Sequence, residues 1–135
     1  MSKQQYGFGT TLNLPVAQAI ERVTAALKEE GFGVLTTIDV QQTMKEKLDI
    51  DFEPYVILGA CNPQLAHRAL GAVHDIGLLL PCNVIVHAEG NQTRVEMADP
   101  LAMLSIAQSE ELESVAQEAR SRLRSALHRL ESEEL

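Results

Sequence analysis

Three features of this 135-residue sequence predict an α+β fold: a mixed, mainly antiparallel five-stranded sheet, helices packed mostly on one face, and a long C-terminal helix. First, Glu89-Gly90-Asn91-Gln92 stands between two alternating apolar runs, a turn that joins two strands as a hairpin and makes them antiparallel neighbours. Second, the cap-and-proline signals Asn13 with Pro15, Asn62-Pro63 and Asp99-Pro100 each follow a strand-like run and open a helical pattern. Third, Leu112, Val115, Ala116, Ala119, Leu123, Ala126, Leu127 and Leu130 recur at helical spacing. The glycine-rich strand-to-helix turn with which a doubly wound parallel sheet holds a dinucleotide is missing.

In order along the chain, Tyr6 to Leu12 alternates weakly and reads as an edge strand, given Gly7 and Gly9. Asn13 is expected to cap a helix carrying Val16, Ala19, Ile20, Val23, Ala26 and Leu27 on one face, with Gly31 as its stop. Phe32 to Ile38 follows as a strand, and Asp39 caps a short helix to about Leu48. Tyr55 to Ala60 is apolar throughout, the pattern of a strand covered on both faces. Asn62-Pro63 opens a helix to about Val73, and Ile76 to Leu80 is an apolar connector ended by Pro81. Cys82 to Ala88 and Thr93 to Met97 are the hairpin strands, and Asp99-Pro100 opens a short helical turn. Ser109 caps the last helix, whose acidic first turn and arginine-rich second half complement the helix dipole; its apolar face is expected to lie on the sheet, with a dimer contact as the second reading.

This length suits one domain over residues 1–135, able to bury about two-thirds of its unfolded surface. Aromatics make up 4% of the chain and Trp is absent, so Leu, Val, Ile and Ala must build the core. A net charge of −8, with no basic cluster interleaved with aromatics, opposes nucleic acid and anionic membranes as partners. No apolar run approaches the ~20 residues that cross a bilayer, and the N-terminal stretch has no apolar signal core. A cytoplasmic protein is expected, with Cys61 and Cys82 as thiols rather than a disulfide.

The candidate chemistry lies between Pro54 and Glu89, which holds both cysteines and three of the four histidines. Cys61 ends one strand and Cys82 begins another. Antiparallel neighbours would bring both sulfurs to one rim of the sheet; parallel ones would leave them about 20 Å apart. His67 lies one helical turn past Pro63, and the helix start points N–H groups and a positive dipole end back toward Cys61 and Asn62, which favours a thiolate or a small anion there. Cys61, His67, His74 and Cys82 form a soft donor set that zinc or copper could accept, although the spacing is not that of a zinc finger. Lys47, on a short helix that most simply presents a solvated face, could reach an anion. Each of these residues also has a plainer reading: buried thiols pack as small apolar groups, and surface histidines need no ligand.

Templates for serine hydrolases, phosphate-binding loops and His-Glu-x-x-His metal helices are absent. Three functions remain open. One is binding of a small molecule or thiophilic metal ion by Cys61, Asn62, His67, Cys82 and Lys47, with Cys61, His67 and Cys82 as the metal ligands. The second is a structural or partner-binding dimer whose cysteines merely pack. The third is a thiol-dependent redox or sulfur-transfer enzyme.

Several blocks resemble the family known as domain of unknown function 302. They are Glu30-Gly31-Phe32-Gly33-Val34, Lys47-Leu48, Ile57-Leu58-Gly59-Ala60-Cys61-Asn62-Pro63 with Ala66-His67, Gly77-Leu78-Leu79-Leu80-Pro81-Cys82-Asn83-Val84, and Asp99-Pro100. The resemblance implies a small α+β domain that forms a homodimer and whose biochemical role is not established. It singles out Cys61, Asn62, Pro63, His67, Pro81 and Cys82 and leaves His74 outside the pattern.

Overall fold

The computed structural model describes residues 6–133; the N-terminal stretch read above for a signal core lies largely outside them. Strands β1 (Gly7–Leu12), β2 (Gly33–Asp39), β3 (Tyr55–Cys61), β4 (Cys82–Glu89) and β5 (Gln92–Ala98) form one sheet in the order β1-β5-β4-β3-β2, and every pairing is antiparallel. The mainly antiparallel expectation thus holds in its strictest form. Helices α1 (Val16–Glu29), α3 (Pro63–Ala72), α4 (Pro100–Leu104) and α5 (Glu110–Glu133) build the layer that covers one face, while α2 (Val40–Leu48) connects the edge strand to β3 and buries none of its residues. The connector Ile76–Leu80 proves to be largely helical, a 3-10 segment over His74–Leu79.

Local chemistry explains most boundaries. Asp39 accepts from Gln42 N at 3.0 Å, Asn62 from Leu65 N at 3.1 Å, Asp99 from Leu101 N at 3.0 Å and Ser109 from Leu112 N at 3.2 Å, so each side chain satisfies an N–H that the helix start leaves free. Asn13 does not cap α1. Pro15 holds that position without a side-chain bond, and Asn13 accepts instead from Gln92 beside the hairpin. Gly31 takes a positive φ of 85° after α1, and Gly90 one of 63° in the two-residue turn between β4 and β5.

Period-two alternation sends Leu12, Leu58, Ala60, Val84, Val86, Thr93, Val95 and Met97 toward the helices, where all are buried. Thr93 is the one buried polar residue among those described, and its hydroxyl donates to Leu14 O at 2.6 Å. The eight apolar positions read on the last helix are all buried, but α5 packs chiefly on α1, α3 and α4 and touches the sheet mainly at β1. Its arginines do more than complement the dipole. Arg120 bonds Asp99 at 3.1 Å, Arg129 bonds Glu30 at 3.0 Å, and Glu118 is shared by Arg68 of α3 and Arg122, each at 3.1 Å. The Glu118 pairs are screened by solvent, whereas Asp99 and Glu30 are largely buried beside their arginines, so the latter two tie α5 to its neighbours.

The core should therefore depend on aliphatic packing at the sheet centre. Leu58→Ala is expected to lower unfolding free energy by about 2–5 kcal/mol, measured by equilibrium denaturation in urea.

Candidate functional site

The register of β3 against β4 decides whether the two thiols can cooperate. Ala60 stands opposite Cys82 and Gly59 opposite Asn83, so Cys61 is one residue past the partner of Cys82. Both cysteines are free and half-buried at the same rim, and both line one cavity of about 350 Å³. Phe32, Leu35 and Thr36 at the start of β2 form one wall, Leu65, Ala66, Ala69 and Leu70 of α3 a second, and Leu80 with Pro81 a third. Pro100 and Leu104 of α4, with Val115 and Ala119 of α5, close the floor. Apart from the thiols, Thr36 and Asn62, the lining is apolar.

Two glycines make the walls possible. A Cβ on Gly59 would overlap Thr36 Oγ1 and lie 2.9 Å from Pro81 Cγ, so only a bare Cα lets Thr36 and Pro81 close over β3. A Cβ on Gly31 would come within 2.8 Å of Asn62 Nδ2, so that turn makes room for the Asn62 amide. Asn62 faces the cavity while already engaged as the α3 cap. Ala66 N is bonded to Asn62 O, and Pro63 has no N–H, so the helix start offers less to an anion than its position suggests.

The other sequence candidates fall outside. His67 is exposed and does not line the cavity. Leu65 and Ala69 turn the inner face of α3 to the core, and His67, two residues from each, is rotated about 200° away. Lys47 lies on the exposed α2, and His74 is exposed at the start of the 3-10 segment. Among the described residues no group of three His, Cys, Asp or Glu side chains is arranged to hold a metal ion, so the trio Cys61, His67 and Cys82 is not assembled. His87 stacks on Tyr55 at 5.1 Å on the opposite sheet face, with Glu53 at 3.5 Å.

Sequence reasoning missed the α4 and α5 contributions, since long-range packing carries no local signal. Phe32, Ala66, Leu80, Pro81 and Pro100, all within the blocks that carry the resemblance, line the cavity. A larger groove of about 1150 Å³ runs open along α5. Its cations are already engaged: Arg120 by Asp99, Arg129 by Glu30, and Arg124 over the Phe8 ring at 4.3 Å. It therefore makes a poorer candidate.

The electrostatics run against the expected thiolate. Burial pushes the Cys61 thiol above its ordinary value. Cys82 is pushed up to about 11, first by burial and then by the negative charge that Cys61 would carry. Both sulfurs are thus protonated at neutral pH and behave as soft, nearly apolar wall atoms.

Two outcomes follow. Iodoacetamide labelling should be slow at pH 7 for both thiols, with Cys82 reaching half-maximal rate only near pH 11. A raised thiol pKa keeps the proton in the native state where the unfolded chain has lost it, so stability falls as pH rises from ~8.5, the unfolded thiol value, toward about 11. In thermal melts across that window Cys82→Ala should flatten the decline relative to the parent.

Comparison with known proteins agrees with this architecture. A family model described as domain of unknown function DUF302 matches residues 8–130. The crystal structure of an uncharacterized conserved DUF302 protein from Bacillus stearothermophilus superposes with a TM-score of 0.87 at 33% identity, covering 94% of this chain and 99% of that one. No curated protein matches. With the family model spanning nearly the whole sequence, the chain belongs to the DUF302 family.

Proposed function

We propose that this domain binds a small, largely apolar molecule in the cavity at the β3–β4 rim, with Cys61, Asn62 and Cys82 at its polar edge. One observation carries the reading: a pocket of about 350 Å³, the size of a small-ligand site, has an almost wholly apolar lining interrupted by two thiols. The family-like blocks around Phe32, Cys61-Asn62, Leu80-Pro81-Cys82 and Pro100 converge on it. The raised thiols support binding over nucleophilic chemistry, because a redox or sulfur-transfer centre works through a thiolate. The reading places the protein in the cytoplasm, where free thiols persist, and as a homodimer.

The neutral fluorophore N-phenyl-1-naphthylamine tests it. Its emission should rise saturably on addition of protein. Ala66→Trp, which fills the cavity from the half-buried face of α3, should weaken binding at least tenfold while the circular dichroism spectrum is kept. Unsaturable emission, or an Ala66→Trp variant that binds as the parent does, would leave the cysteines as packing groups.

A second reading rests on the two free thiols lining one cavity, near enough for Cys61 to act on Cys82: a thiophilic ion held by Cys61 and Cys82 without His67. Copper(I) suits two sulfur donors better than zinc, whose structural sites take four ligands. Because both protons must leave, affinity should rise with pH. Competition with a copper(I) chelator should show that rise in the parent and none in Cys61→Ser or Cys82→Ser.

A further inference from the structure

We propose that two copies of this chain join through the free edge of β2, forming one continuous sheet across a two-fold axis. This deepens the homodimer reading above and names its surface. Among the described residues β2 pairs only with β3, so the outward backbone groups of Gly33–Asp39 have no strand partner there. Proline, lysine and bulges are the usual devices that blunt an edge strand; β2, reading Gly-Val-Leu-Thr-Thr-Ile-Asp, has neither proline nor lysine, and its bulge falls near its start. A bulge between Val34 and Thr36 ends its regular part, leaving Thr36–Asp39 straight against β3.

The segment that begins with that edge is rich in exposed apolar side chains. Five of the nine exposed large hydrophobics among the described residues fall between residues 35 and 52: Leu35, Ile38, Leu48, Ile50 and Phe52, each 39–69% exposed. Together they present on the order of 500 Å² of side-chain surface per copy, against about 800 Å² per partner in a standard interface; strand backbone and polar rim would supply the remainder. The sheet face away from the helices continues the patch. Ile38, Ile57 and Ile85 stand opposite one another across β2, β3 and β4.

A second copy is the occupant that fits. Antiparallel pairing of β2 with itself satisfies the edge and closes under two-fold symmetry, so no further edge remains there to recruit a third chain. Centred on Thr37, the pairing sets each Ile38 beside Thr36 of the other copy on the uncovered face and extends the isoleucine row across the axis. Leu35 and Thr36 also line the ligand cavity, so the seam runs beside both mouths.

Light scattering after size exclusion, over a dilution series, tests this. The parent should show about twice the 14.8 kDa chain mass. Ile38→Lys, placing a charge on the seam at an exposed position, should weaken association at least tenfold with an unchanged circular dichroism spectrum. Leu78→Lys, at a side chain 87% exposed on the 3-10 segment, should remain dimeric. A parent of single-chain mass overturns the homodimer and its surface together. A dimer indifferent to Ile38→Lys, or broken by Leu78→Lys, overturns the β2 surface alone and leaves the homodimer standing.

Discussion

The antiparallel register between β3 and β4 is the constraint on which the rest depends. Once Ala60 is fixed opposite Cys82, two sulfurs separated by a helix and a 3-10 segment must share one rim. Because side chains alternate along a strand, a one-residue slip of β3 would turn Leu58 out of the core, and one of β4 would turn out Val84 and Val86. The hydrophobic effect acting on the centre of the sheet therefore also specifies the geometry of the thiols at its end. Energy comes from the aliphatic middle, and the rim inherits its precision from there.

The same core determines the chemistry available at the rim. Helices α3, α4 and α5 bring Leu65, Leu104 and Val115 over the strand ends and remove water from around the sulfurs. Desolvation then outweighs the attraction that a helix start offers a thiolate, and Cys82 rises furthest. A site built this way keeps its thiols quiet and presents a dry, polarisable wall to a ligand.

Much of the architecture was legible in the residues. Caps at Asp39, Asn62, Asp99 and Ser109 are local hydrogen bonds between neighbours, and the hairpin at Gly90-Asn91 is a local turn. The eight buried positions of α5 follow from period alone. Asn13 misled because its better partner, Gln92, is 79 residues away. His67 misled because closeness along the chain to Cys61 says nothing about which side of α3 it occupies. The cavity floor from Pro100 to Ala119 could not be read, since no local pattern reveals which helices will lie across a sheet end.

The cavity takes its walls from segments between Phe32 and Ala119, drawn from all three thirds of the chain. An occupant would be touched at once by the edge strand, the central pair, the crossover helix and the terminal helix. It would act as a cross-brace, stabilising only the assembled state in proportion to its concentration. Its arrival would be felt as slower amide exchange across all of those elements together, and its loss would loosen them as one unit.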